Sequence, residues 1–410
     1  MNQHWLTGLA MGASATCIAA GDLSQLTGPE QVTSRLEIDA EVPGALINSE
    51  WLGDYFAWKK TVKERTGLSF GGDYSNVFLS ASDSLGEDSA SGGMYRLFGS
   101  WDLTGDSATN GGSLVFKVEH RHAYGNDIPP SALGFETGYT GFYVAPFSDQ
   151  GTRLTNLYWR QRFADGRWAL TAGFVDVTDY LDVYSLASPW TGFMNLAMST
   201  GSASIPVPNE GLGVAIGGYV SDTVYVIAGF ADTNSDPAEP GETVDSFFDE
   251  AEYFKHVEIG WNPNAETAFL DNIHLTLWQV DERVEVGEPD GWGANISFST
   301  SPFDNEFTTF VRGGYAEDGG SLLELSLTTG FAWQTVSGGN QLGVAYNWGR
   351  PNETTWGPEL DDQQTVEAFY RIQLFKEFAL TPDIQYVKNP ANNPEEDDLW
   401  IIGLRARFNY

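Results

Sequence analysis

The chain has 410 residues, with 21 Lys plus Arg against 56 Asp plus Glu, for a formal charge of -35. So acidic a surface argues against a nucleic-acid partner, because phosphate binding needs a basic one. The 41% hydrophobic and 14% aromatic content can build a folded core, and no run reaches the roughly 20 apolar residues of a membrane-spanning helix. A spanning β-barrel remains compatible with the mean hydropathy of -0.25, because only alternate barrel residues face lipid.

Residues 1–20, MNQHWLTGLAMGASATCIAA, pair a short apolar stretch with small residues before Gly21 and Asp22. This reads as a secretory signal ending near Ala20, although its first residues carry His4 and no Lys or Arg. Cys17, the sole cysteine, falls inside it, so the mature chain is expected to hold no disulfide, no thiolate metal site and no lipid anchor. Residues 21–66 form an N-terminal segment. Within it Trp51 to Arg65 (WLGDYFAWKKTVKER) is the one convincing helix, with Trp51, Leu52, Tyr55, Phe56 and Val62 near helical spacing. It is expected at the periplasmic mouth.

From Gly67 to Tyr410 the sequence alternates in short segments cut by Gly, Asp, Asn, Pro and Ser, the period-2 signature of strands. Sixteen are placed: Leu68 to Ala81, Gly93 to Leu103, Ser113 to Tyr124, Leu154 to Phe163, Trp168 to Val177, Leu212 to Val220, Val224 to Ala231 and Tyr253 to Trp261. Ile273 to Val280, Trp292 to Thr300, Phe307 to Tyr315, Leu322 to Trp333, Gln341 to Trp348, Thr365 to Phe375, Phe378 to Val387 and Leu399 to Tyr410 follow. Tight connections such as Ala164-Asp165-Gly166, Ser221-Asp222, Ser337-Gly338-Gly339-Asn340 and Lys376-Glu377 alternate with long ones such as Gly125 to Thr152, Asp179 to Glu210, Thr233 to Glu250 and Arg350 to Gln363. Loops sorted by length onto two rims, with the short turns periplasmic, are the outer-membrane pattern. The expected fold is therefore all-β, a transmembrane antiparallel β-barrel over 67–410 with one short N-terminal helix. In the final segment Trp400, Ile402, Leu404, Ala406, Phe408 and Tyr410 share one parity, and the aromatic end resembles the signal read by the barrel-assembly machinery.

Strand parity directs Arg96, Asp102, Lys117, Glu119, Arg121, Tyr158, Arg160 and Arg162 to the lumen, followed by His256, Glu258, Trp278, Arg312, Glu367 and Arg371. The physical reason is that charge on a lipid face costs several kcal/mol at mid-depth. Arg96, Lys117, Glu119, Arg121 and Arg160 are expected at the constriction, with Trp278 a candidate sugar platform; each could equally be ordinary lumen wall. The loops Gly125 to Thr152 and Asp179 to Glu210 are expected either to pack against the inner wall or to fold over the outer mouth. Among the five histidines, His120 and His122 flank Arg121 without a named nucleophile. Neither a Gly-x-Ser-x-Gly elbow, a His-Glu-x-x-His metal site nor a Gly-rich phosphate loop is present, so no enzyme, metal or cofactor is expected.

Several stretches resemble the carbohydrate-selective porin (OprB) family of Gram-negative outer membranes, over about Leu52 to Tyr410. They are the helix running into Glu64-Arg65-Thr66-Gly67-Leu68, the segment Asn156 to Asp176 with Gln161 and Gly173, then Phe193-Met194-Asn195 and Pro206-Val207-Pro208. The most specific is Leu380-Thr381-Pro382-Asp383-Ile384-Gln385-Tyr386-Val387-Lys388-Asn389-Pro390, closing with Gly403-Leu404-Arg405. The resemblance implies a sixteen-stranded barrel, monomeric or homotrimeric, passing monosaccharides such as glucose by facilitated diffusion. A general or ion-selective pore without a sugar site is the alternative; an outer-wall enzyme and a soluble β-sandwich adhesin are weaker rivals.

Overall fold

The computed structural model describes residues 27–42, 44–48, 51–125, 128–263, 270–302, 306–335 and 339–410. The proposed signal segment and the Ser337-Gly338 pair lie outside the described residues.

Two helices precede the sheet, α1 (Val32–Ala40) and α2 (Gly53–Thr66). The sixteen strands are β1 (Leu68–Ala81), β2 (Ser89–Thr104), β3 (Gly112–Ala123), β4 (Gly151–Phe163), β5 (Trp168–Val175), β6 (Gly211–Tyr219), β7 (Val224–Asp232) and β8 (Tyr253–Trp261). They continue as β9 (Asn272–Val280), β10 (Gly291–Thr300), β11 (Phe307–Asp318), β12 (Leu323–Gln334), β13 (Gln341–Pro351), β14 (Gln363–Phe375), β15 (Phe378–Lys388) and β16 (Asp398–Asn409). Each strand pairs antiparallel with its chain neighbours, and β1 pairs with β16 from Asp73↔Asn409 to Ala81↔Ile401, which closes the barrel. Every segment expected as a strand is one. Closure leaves no free edge, the condition for a sheet to sit in hydrocarbon.

The rims follow the loop sorting. Connections 105–111, 164–167, 220–223 and 376–377 lie on the rim where α2 enters β1, while 124–150, 176–210 and 233–252 lie on the other. The 164–167 turn is tight because Ala164, Asp165 and Gly166 all take positive φ; only glycine does so without steric cost. α2 ends on Gly67, whose left-handed backbone lets its N–H donate to the Lys63 carbonyl and releases the chain straight into β1. The helix packs its aromatic rings on the rim, Trp51 against Phe408 and Trp58 against Phe70, and Lys59 Nζ donates to the Tyr410 carbonyl at 3.1 Å.

Outward positions are aliphatic along the middle of the strands, with Ile259, Leu275, Leu277, Ile296, Val311, Ile402 and Leu404 exposed. Trp101, Trp261 and Trp333 mark the short-turn end and Trp292 and Trp400 the other, as expected of aromatic girdles at two interfaces. His120 and His122 also point outward; His120 Nδ1 lies 2.9 Å from Thr152 Oγ1 and His122 Nε2 lies 3.2 Å from Tyr74 OH.

Candidate functional site

The inward faces carry the polar residues, and three chain segments lie against them. The first is the loop 176–210. Starting at β3, Lys117 Nζ reaches Asp179 at 3.1 Å. Beyond it, Glu258 on β8 accepts from the Asp182 N–H at 2.8 Å, and His274 Nε2 on β9 lies 2.9 Å from Asp182 Oδ1. Arg312 on β11 donates to both the carboxylate and the carbonyl of Asp182. Burial alone would raise the Asp182 carboxyl, but Arg312 and His274 outweigh it and hold it below the usual range. Farther round, Glu367 on β14 accepts from the N–H groups of Met194 and Asn195 at 2.6 and 3.0 Å, and Arg405 on β16 donates to the carbonyl of Gly192 at 3.0 Å. The loop is thus fastened to strands on opposite sides of the barrel and crosses the lumen. Residues 128–150 also pack inside: Tyr139, Tyr143 and Phe147 are buried with Val77, Leu79 and Met94 of β1 and β2. Of the two placements open for these loops, the inner wall is the observed one.

The third segment is the N-terminal stretch 27–42, which the sequence reading did not resolve. Val32 packs in one buried cluster with Phe98, Val115 and Tyr158 on the inner faces of β2, β3 and β4. Gln31 caps α1 by accepting from the Thr33 and Ser34 N–H groups while its Nε2 donates to Tyr158 OH at 3.0 Å. Six charges then close a ring of alternating sign. Glu30 meets Arg96 at 2.8 Å, Arg96 meets Asp73 at 2.5 Å, and Asp73 meets Arg407 at 2.6 Å. From there Arg407 meets Asp39 at 2.6 Å, Asp39 meets Arg35 at 3.1 Å, and Arg35 returns to Glu30 at 3.0 Å. Three members come from the N-terminal segment and three from β1, β2 and β16. Burial by itself would raise the Glu30 carboxyl, but Arg35, Arg96 and the Ser188 hydroxyl outweigh it and bring it from 4.5 to about 2. Trp190 lies over the Arg96 guanidinium at 3.9 Å, so ring and crossing loop touch.

All the sequence-predicted positions face inward, but they do not form one cluster. Arg96 belongs to the ring. Lys117 holds Asp179 and lies 3.6 Å from Asp176. Glu119 pairs with Arg121 at 2.6 Å, and Arg121 and Arg153 both meet Glu210 at the end of the crossing loop. Arg160 donates to Thr33 and Tyr158 at 3.3 Å. Trp278 is 3% exposed, stacked on Phe254 with His256 alongside, rather than presenting a free face. Arg312 and Glu367 fasten the loop, and Arg371 donates to the carbonyls of Thr191 and Gly339. Sequence reasoning missed Glu30, Arg35, Asp39, Asp73, Arg405 and Arg407. The last two carried a signal, inward parity on β16, as did Asp73 on β1.

A sixteen-stranded antiparallel barrel with aromatic girdles, a polar interior and a loop folded across its lumen is the architecture of an outer-membrane porin. The model of the carbohydrate-selective porin, OprB family matches residues 102–310 and 303–410, and the chain belongs to that family. The structure is similar to the high-pH structure of Pseudomonas putida OprB, with a TM-score of 0.70 at 13% identity over 88% of this chain and 99% of that one. The structure of a multiply substituted mutant of Rh. blastica porin gives a TM-score of 0.51 at 13% identity, over 84% of this chain and all of the other. These two likenesses concern the fold. A curated Acinetobacter baylyi protein described as the porin QuiX is 40% identical over 53 residues, and that match spans 13% of this chain and 12% of the relative. Family and fold together imply the Gram-negative outer membrane and a channel rather than an enzyme.

Proposed function

We propose that the chain gives facilitated diffusion of small carbohydrates, monosaccharides such as glucose, through the space left between the crossing loop and the barrel wall. The observation that carries the reading is the fastening of loop 176–210 across the lumen by paired charges from β3 and β11, strands on opposite sides. Charges already paired offer hydrogen bonds to hydroxyls without repelling a neutral solute, and aromatic faces can stack on sugar rings. Contacts of this kind are weak enough for exit, as a channel requires. Arg96, Lys117, Glu119, Arg121 and Arg160 remain the proposed constriction residues.

The same reading takes residues 1–20 as a secretory signal, which N-terminal sequencing of the mature protein tests. It takes β16 as the strand read by the barrel-assembly machinery, and a homotrimer as the assembly, tested by cross-linking in the membrane. Function is tested by inserting the mature protein into planar bilayers and titrating sugars. Current blocked by millimolar glucose, with preference among sugars and weaker block in variants at Arg96, Glu119, Arg121 or Arg160, supports the reading. Steady current indifferent to every sugar would leave a general or ion-selective pore in its place.

A further inference from the structure

One cavity in the lumen borders the charge ring, sharing Arg35, Asp39 and Arg407 with it, and also takes in Arg371, which lies outside the ring. It measures about 80 Å³ and lies between α1, the Trp190-Thr191 turn of the crossing loop and the inner faces of β14, β15 and β16. By the space a water needs, it holds about five to seven non-hydrogen atoms.

Its walls offer donors in excess of acceptors. Arg371 reaches only two backbone carbonyls, Thr191 at 3.1 Å and Gly339 at 3.2 Å, and no carboxylate lies within ion-pair distance among the described residues. The indole N–H of Trp190 and Nε of Arg35, both on cavity-lining residues, are buried and without a hydrogen-bond partner. Nearby on β16, Nε and Nη2 of Arg405 are in the same condition. The one carboxylate on the wall, Asp39, is committed through both oxygens to Arg407 at 2.8 and 2.6 Å and to Arg35 at 3.1 Å. The remaining carboxylates on these strands are turned elsewhere, Glu367 to the Met194 and Asn195 N–H groups, Asp383 to Gln385 and Asp398 to the Tyr386 hydroxyl.

The ring of three acids and three arginines balances itself, so Arg371 adds a positive charge that nothing in the wall neutralises. A half-buried guanidinium without a counter-ion favours an anionic partner, and its planar fork matches a carboxylate better than any neutral group. We infer that this cavity is an anion subsite that takes the carboxylate end of a small sugar acid, with Arg371 as the charged contact and the Trp190 and Arg35 N–H groups as further donors. The amides of Gln373 and Asn409 on the same wall suit the hydroxyls of the remainder. The inference rests on the porin reading and extends its cargo from neutral sugars to their acids.

The test uses the full mature protein in planar bilayers, with sodium gluconate, glucose and inorganic phosphate as probes. Wild-type current is expected to be half-blocked by gluconate at a concentration at least about tenfold below that for glucose, the size of one charge-assisted hydrogen-bonded pair. Arg371→Gln should raise the gluconate value about tenfold relative to the glucose value, and Arg371→Lys, which keeps the charge but loses the fork, should fall between. If Arg371→Gln does not insert, Trp190→Phe removes one donor and should raise the gluconate value about threefold. Equal block by gluconate and glucose in the wild type, or an unchanged ratio in the variants, would overturn the inference while leaving the sugar pore. Equal block by phosphate and gluconate would overturn the carboxylate assignment. No current steps from the wild type would overturn the porin reading itself, and the subsite with it.

Discussion

Replacing Glu30 by Gln isolates the fastening of the N-terminal segment. The substitution preserves shape and removes one of the six ring charges, so Arg96 keeps Asp73 and Arg35 keeps Asp39. Removing one partner of a buried ion pair costs about 3–5 kcal/mol, and the retained partners put this case at the low end. The displacement of the Glu30 carboxyl from 4.5 to about 2 gives about 3 kcal/mol independently, at 1.36 kcal/mol per unit. A loss of that size is about a hundredfold in the docking equilibrium. Amide hydrogen exchange reads it directly: the N–H groups of Val32–Ala40 should lose about two orders of magnitude of protection, while those of the barrel strands keep theirs. Equal exchange in E30Q and wild type would refute the reasoning, as would a wild-type α1 exchanging like a free peptide.

Acid should act on the same contact. Because Glu30 titrates below its ordinary value in the folded chain, its contribution is complete above pH 4.5 and is lost as pH falls toward about 2, so the protection of α1, measured against the intrinsic exchange rate at each pH, should fall over that window in the wild type and much less in E30Q. Arg312→Gln removes the donor to both the side chain and carbonyl of Asp182; the crossing loop should loosen, seen as larger or noisier single-channel conductance, whereas unchanged conductance would mean that the other fastenings suffice. Leu404→Arg places a charge at an exposed position halfway along β16 and should cost about 2–4 kcal/mol in urea unfolding from lipid vesicles, the midplane value for a lipid-facing arginine.

The barrel was legible because lipid and lumen impose opposite chemistry on alternate residues, as in Ile402 and Leu404 against Gly403 and Arg405. α1 was not legible for the converse reason. VTSRLEIDA buries Val32 and Arg35, so its docked face carries charge, and a search for an apolar stripe passes over it. The surface it meets is itself polar. The crossing loop was visible as a long aromatic segment, but its anchors Asp179, Asp182 and Glu210 gain meaning only once the barrel brings Lys117, Arg312 and Arg153 within reach. Parity put Lys117 and Glu119 in the lumen; it could not reveal that each is engaged by a different partner.

The charge ring also constrains the order of assembly. Asp73 lies on the first strand and Arg407 on the last, and they come within reach only where β1 meets β16. One of the two ring ion pairs that join the N-terminal segment to the wall, Asp39 with Arg407, therefore depends on that seam. A chain whose first and last strands have not yet met keeps residues 27–42 without Arg407 to hold Asp39, so protease resistance of this stretch doubles as a record that the cylinder has been completed.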